Sequence, residues 1–157
     1  MYFEIEKHLP GFCDTIMVFD ADGDVIFEID SRLTLNKRTL RVFSPDEKVV
    51  AVLERQDNLI EPTFNIYLKG NFYGELVKEF TFFEPRFHIV SEYGPIITHG
   101  DLINLDFRLI DDEGSIIAIV SDDLSDEEDN YGIEISEDVD PAFIIALLIG
   151  IDIQLNE

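Results

Sequence analysis

Residues 140–153 read DPAFIIALLIGIDI, and no other stretch of the chain limits its fold so tightly. Every residue from 142 to 151 is apolar or glycine, so a helix built from them has no polar face. Such a helix belongs either in a large core or in a bilayer. At about 1.5 Å per residue the uninterrupted run spans about 15 Å, roughly half the hydrocarbon thickness of a membrane. Its flanks are acidic and carry no Lys or Arg, which disagrees with a membrane helix. The preceding SEDVDPAF is a strong helix start, with Asp140 at the N-cap, Pro141 at the first helical position and acids near the positive end of the dipole. The segment is therefore expected to be a buried helix over about residues 141–154. Gly150 and the alanines would let the surrounding walls approach closely.

What surrounds it reads as strand. Residues 18–29 (VFDADGDVIFEI), 41–53 (RVFSPDEKVVAVL), 65–77 (NIYLKGNFYGELV) and 108–120 (RLIDDEGSIIAIV) share one form. Each has alternating apolar positions, a polar turn of Asp, Asn or Gly, then alternation again, the signature of a β-hairpin. Some of these units are copies. LIEPTFNIY (59–67) and FFEPRFHIV (82–90) align without a gap, matching Glu61 with Glu84, Pro62 with Pro85, Phe64 with Phe87 and Ile66 with Ile89. Upstream, LNKRTLRVF keeps the alternation at Leu40 and Val42. The repeated Pro lacks a ladder donor, so it should start a strand or sit at a bulge on a barrel rim.

Residues 2–136 hold roughly twelve candidate strands. Twelve meandering strands form two sheets or close on themselves, and closure removes the edges. A barrel that wide is not filled by its own inward side chains, so something must occupy its lumen. The fold class expected is mainly β: a closed, roughly twelve-stranded antiparallel barrel around a central hydrophobic C-terminal helix. Its 157 residues suit one domain, 1–157.

Composition excludes several function classes. Net charge is −23, and residues 101–157 hold 17 of the 34 acids but only one of the 11 bases, Arg108. Such a field repels nucleic acid over most of the surface and attracts cations or basic partners. A single cysteine, Cys13, excludes an intrachain disulfide and any multi-cysteine metal site. A reducing, cytoplasmic setting is the natural expectation, with no integral membrane segment. The N-terminus has neither a basic region nor a long apolar one, so no signal peptide is evident.

A series of hairpins with FTFFEPRFHI, then DDEGSIIAIVS, then a terminal apolar helix containing ALLIGIDIQL, resembles the LURP-one-related family. That family belongs to the tubby C-terminal-like group, to which the phospholipid scramblases are similar. The resemblance covers essentially the whole chain and implies a twelve-stranded barrel around a hydrophobic C-terminal helix. Tubby-type domains bind phosphoinositides through basic side chains. The resemblance therefore points a headgroup or acidic-partner site to RLTLNKRTLR, where Arg32, Lys37, Arg38 and Arg41 supply four of the 11 bases.

Among acids, Asp152 is the most suggestive, lying between Ile151 and Ile153 in the apolar helix. A lumenal carboxylate must be hydrogen-bonded or have a raised pKa, which marks functional sites; at the barrel mouth it meets solvent instead. FDADGDV departs from the calcium-loop pattern and fits a tight turn. SDDLSDEEDN (121–130) concentrates six acids without ligand-loop spacing and reads as a solvated, mobile loop. Nucleophile-elbow, P-loop and HExxH signatures are missing, and His8, His88 and His99 are scattered. The expected function is a non-catalytic intracellular binding or scaffold module for a protein or lipid headgroup, with no cofactor and no metal. The alternatives are a calcium-responsive, scramblase-like membrane protein and a hydrolase using Asp152.

Overall fold

The computed structural model describes residues 1–7, 15–30, 39–56 and 60–155. Twelve strands alternate along the chain: β1 (Tyr2–Glu6), β2 (Thr15–Asp20), β3 (Val25–Asp30), β4 (Thr39–Phe43), β5 (Val49–Gln56) and β6 (Thr63–Leu68). They continue as β7 (Asn71–Lys78), β8 (Phe87–Ser91), β9 (Gly94–Asp101), β10 (Asp106–Asp111), β11 (Ile116–Ser121) and β12 (Asn130–Ile135), and the helix α1 (Pro141–Leu155) follows. Every neighbouring pair is antiparallel, and β1 closes onto β12, so the sheet has no edge. The four hairpins expected from the turn signals are β2–β3, β4–β5, β6–β7 and β10–β11. Each carries a register shift beside its turn. Those turns use a positive φ at Gly23, Glu47, Gly70 and Gly114, the left-handed step that such bulged hairpins require.

The helix runs down the lumen. All ten residues 142–151 are buried, together with Gln154. Asp140 caps it, with Oδ1 accepting from the Ala142 N–H at 2.9 Å, and its own N–H donates to the Tyr93 hydroxyl at 2.8 Å. Phe143 then packs against the Tyr73 and Tyr93 rings, with centroids 5.2 and 5.8 Å away. Gly150 is needed where the wall comes closest. A Cβ there would lie 2.7 Å from Leu76 Cδ2 and 3.2 Å from Leu53 Cδ2. The apolar segment is thus the core of the molecule, and among the described residues no helix is long and apolar enough to cross a membrane.

The two ends of the barrel differ. The helix N-terminus lies at the end closed by short turns, 21–24, 44–48, 69–70, 92–93 and 112–115. Its C-terminus opens toward the end where the longer connections run, including 79–86, 102–105 and 122–129. Pro62 and Pro85 sit on this second rim, just ahead of β6 and β8, as the absence of a ladder donor requires.

Candidate functional site

Large apolar side chains are exposed mainly at the open end. The β7–β8 connection holds Phe80, Phe82 and Phe83 in solvent, the last two 84% and 96% exposed. Ile60 before β6 and Ile103 between β9 and β10 are exposed beside them. The opposite end carries the less exposed Val49, Phe72 and Ile116 among a fringe of acids that includes Asp20, Asp22, Asp24, Asp112 and Glu113. There the Asp20 carboxylate accepts from the N–H groups of Asp22 and Asp24 at 2.9 and 3.0 Å, so FDADGDV is a self-bonded turn.

Three contiguous clefts run around the open rim. One of about 360 Å³ lies beneath Phe80 and Phe83, walled by Ile60, Pro62 and Lys78. A second, about 580 Å³, shares Phe83 and Pro85 with it and extends along Arg86, His99 and Asp101 to Leu102 and Ile103. Asn104 donates to Asp101 through its side-chain amide at 2.7 Å and its backbone N–H at 3.1 Å, which holds that carboxyl below its usual range. Gly100 makes this wall possible: its φ is +123°, and a Cβ there would come within 2.6 Å of the Asp106 carbonyl oxygen. A third cleft, about 310 Å³, opens onto the end of α1. Leu102, Leu105, Phe107, Leu148 and Ile151 line it with Lys7, Tyr131 and Asp152.

This third cleft is where the sequence-flagged carboxylate lies. Asp152 is half-buried in its wall, at the barrel mouth. Tyr131, facing inward from β12 and only 6% exposed, stands near it. Burial first and the Asp152 charge second push the Tyr131 phenol well above its ordinary range, so it stays protonated. Lys7 at the lip is already engaged, with Nζ 2.7 Å from Asp122 Oδ1 and donating to the Glu128 carbonyl at 2.9 Å.

Lys7 also alters the reading of the acidic loop. Expected to be mobile, residues 121–130 are held by Lys7, by a 3-10 turn over Asp122–Leu124 and by the Tyr2 hydroxyl, which lies 2.7 Å from the Leu124 carbonyl. These contacts form because β1 and β12 are neighbours across the barrel closure, while most of the loop's residues are exposed, as expected of a solvated segment. Among the described residues, no group of three or more His, Cys, Asp or Glu side chains is positioned to hold a metal ion.

The basic segment is not part of the described rim. Arg32, Lys37 and Arg38 lie outside the described residues, as do His8 and Cys13. Arg41 is exposed on β4, directly across from Asp30 of β3. His88 is half-exposed on β8, and its Nδ1 lies 3.2 Å from Glu79 Oε1.

Residues 1–152 match the LURP-one-related family. The chain belongs to that family. A relative, the uncharacterized protein YxjI of Bacillus subtilis (strain 168), is 26% identical over 151 residues, covering 96% of this chain and 91% of that one. The X-ray structure of a protein from Arabidopsis thaliana superposes with a TM-score of 0.72 at 12% identity, covering 99% of this chain and 92% of that one. At that identity the likeness speaks for the fold alone, and it is the tubby-like barrel that the resemblance implied.

Sequence reasoning did not single out Tyr131, Lys7 or the Phe80–Phe83 cluster as functional. A Tyr at an inward strand position has the pattern of ordinary core. The Phe residues did leave a signal. In the aligned repeat, Phe82 and Phe83 match Leu59 and Ile60, an apolar pair ahead of the repeated Glu-Pro in each copy.

Proposed function

We propose that this LURP-one-related chain is a non-catalytic binding module that takes its ligand at the open end of the barrel. The observation that carries this reading is the gathering of the most exposed apolar side chains, Phe80, Phe82, Phe83, Ile60 and Ile103, around three contiguous clefts at that end. Apolar surface gathered into one concave, partly polar region is the usual form of a binding site. A hydrolytic role for Asp152 is less well supported. Among the described residues its cleft is lined by no Ser, Thr, Cys or His, and Lys7, the cation lining it, is tied to Asp122.

The sequence offers a rival surface, the basic segment of Arg32, Lys37, Arg38 and Arg41, suited to a lipid headgroup or an acidic partner. Two double variants separate the surfaces. A panel of inositol phosphates, short-chain phospholipids, alkylamines and charged peptides is titrated into the 15N-labelled protein. Phe82→Ser with Phe83→Ser should weaken the ligands found, while Arg38→Glu with Arg41→Glu leaves them unchanged. The reverse pattern would move the binding surface to the basic segment.

A further inference from the structure

The third cleft is built differently from the other two. Those lie among exposed loop residues, whereas this one reaches the buried end of α1 through Leu148 and Ile151. Its polar content is small and convergent. Tyr131 is more than nine-tenths buried, and its hydroxyl, which makes no hydrogen bond to another described residue, is open to the cleft that Tyr131 lines. Asp152 adds a negative charge beside it. A carboxylate has room for about four hydrogen bonds, so Asp152 can take a ligand's donor in addition to its contacts within the protein.

The surrounding charge selects among possible ligands. Lys7 is neutralised at the lip by Asp122, and Asp123, Asp126, Glu127, Glu128 and Asp129 follow in the adjoining connection. An anion entering here meets Asp152, and among the described residues the cation lining the cleft, Lys7, is already paired with Asp122. A cation is drawn in by the same field.

We propose that the cleft of Tyr131 and Asp152 is a site for a small amphiphile with an ammonium head and an aliphatic or aromatic body. The ammonium donates to the Asp152 carboxylate and to the Tyr131 oxygen, and the body lies along Leu102, Leu105, Phe107, Leu148 and Ile151. About 310 Å³ suffices for a chain of some eight carbons with its head, near the lower limit of ligand pockets. This inference rests on the reading of the open end as the binding end, and gives one of its clefts a ligand class.

The test uses three probes with one body and different heads: octylamine, 1-octanol and octanoate, titrated into the full chain at neutral pH. Octylamine should bind about tenfold more tightly than octanol, the difference expected of one charge-assisted hydrogen bond in a shielded site. Octanoate should bind more weakly than either. Asp152→Asn should bring octylamine down to the octanol level. Tyr131→Phe should weaken both by about fivefold without lowering thermal stability, since it removes a hydroxyl with no partner among the described residues. If a variant fails to fold, intermolecular NOEs from octylamine to the Leu105, Leu148 and Ile151 methyl groups in the unaltered protein answer the same question. Equal affinity for all three probes, or octylamine binding undiminished by Asp152→Asn, overturns the proposal. Octylamine contacts confined to residues 79–86 overturn it while leaving the open end as the binding end. Contacts at the tight-turn end overturn both.

Discussion

Gln154 is 2% exposed in the last turn of α1, and among the described residues neither its Oε1 nor its Nε2 meets a partner. Its backbone carbonyl does, accepting from Lys78 Nζ at 3.3 Å. A buried amide without hydrogen bonds costs about 1–3 kcal/mol. Gln154→Leu keeps the backbone contact and removes the cost, so it should raise the unfolding free energy by about 1 kcal/mol or more, read from urea titration. A loss of stability would mean that the amide is solvated or paired. Tyrosines set a second expectation. Burial and a hydrogen bond to Glu4 push the Tyr2 phenol up to about 12, and the hydrogen bond with Tyr93, burial and nearby carboxylates push Tyr73 up to about 12. Each folded-state value exceeds the ordinary 10, so this stability is fully present below pH 10 and is lost as pH rises toward 12. Urea titrations at pH 9, 10 and 11 should show a progressive fall, and a flat profile would contradict it. Residues of this kind were only partly legible in the sequence. Asp152 was flagged because a charge inside an apolar run is anomalous by itself. Gln154 becomes anomalous only once the fold shows that its amide is buried without a partner among the described residues, and Tyr131 only once the fold turns its hydroxyl into a cleft.

At the level of elements, the helix is held at its start by a local device and along its length by burial. Asp140 Oδ1 satisfies the Ala142 N–H, one of the orphan donors of the first turn. Asp140→Ala should lower stability by about 1 kcal/mol, measured by thermal or urea unfolding, with the Tyr93 bond to its backbone retained. A change near zero would show that Pro141 and the barrel wall define the helix start unaided. The hairpins and the helix start were readable from the chain because their determinants are local: turn residues, alternation and a capping acid within a few positions. The clefts were not, since their walls combine Lys7, residues 102–107, Tyr131 and the end of α1. Only strand order brings these together, and above all the closure of β1 onto β12. The same closure explains why loop 121–130, which reads as solvated on composition alone, is anchored by Tyr2 and Lys7.

For the whole molecule, one asymmetry organises the account. The lumen is filled by a helix with no polar face, the end at its N-terminus is sealed by tight turns and the Tyr73–Tyr93–Phe143 cluster, and the clefts gather at the other end. The most apolar stretch of the chain, residues 142–151, is buried along its whole length inside the barrel. Native-state hydrogen exchange along the whole chain tests this most directly. Amides of residues 145–151 should exchange only through global unfolding, together with the central residues of β6, β7 and β10, while residues 79–86 and 102–105 exchange much faster. Helix amides that exchange ahead of the strands around them would show that the barrel stands without its core helix, and would contradict the account.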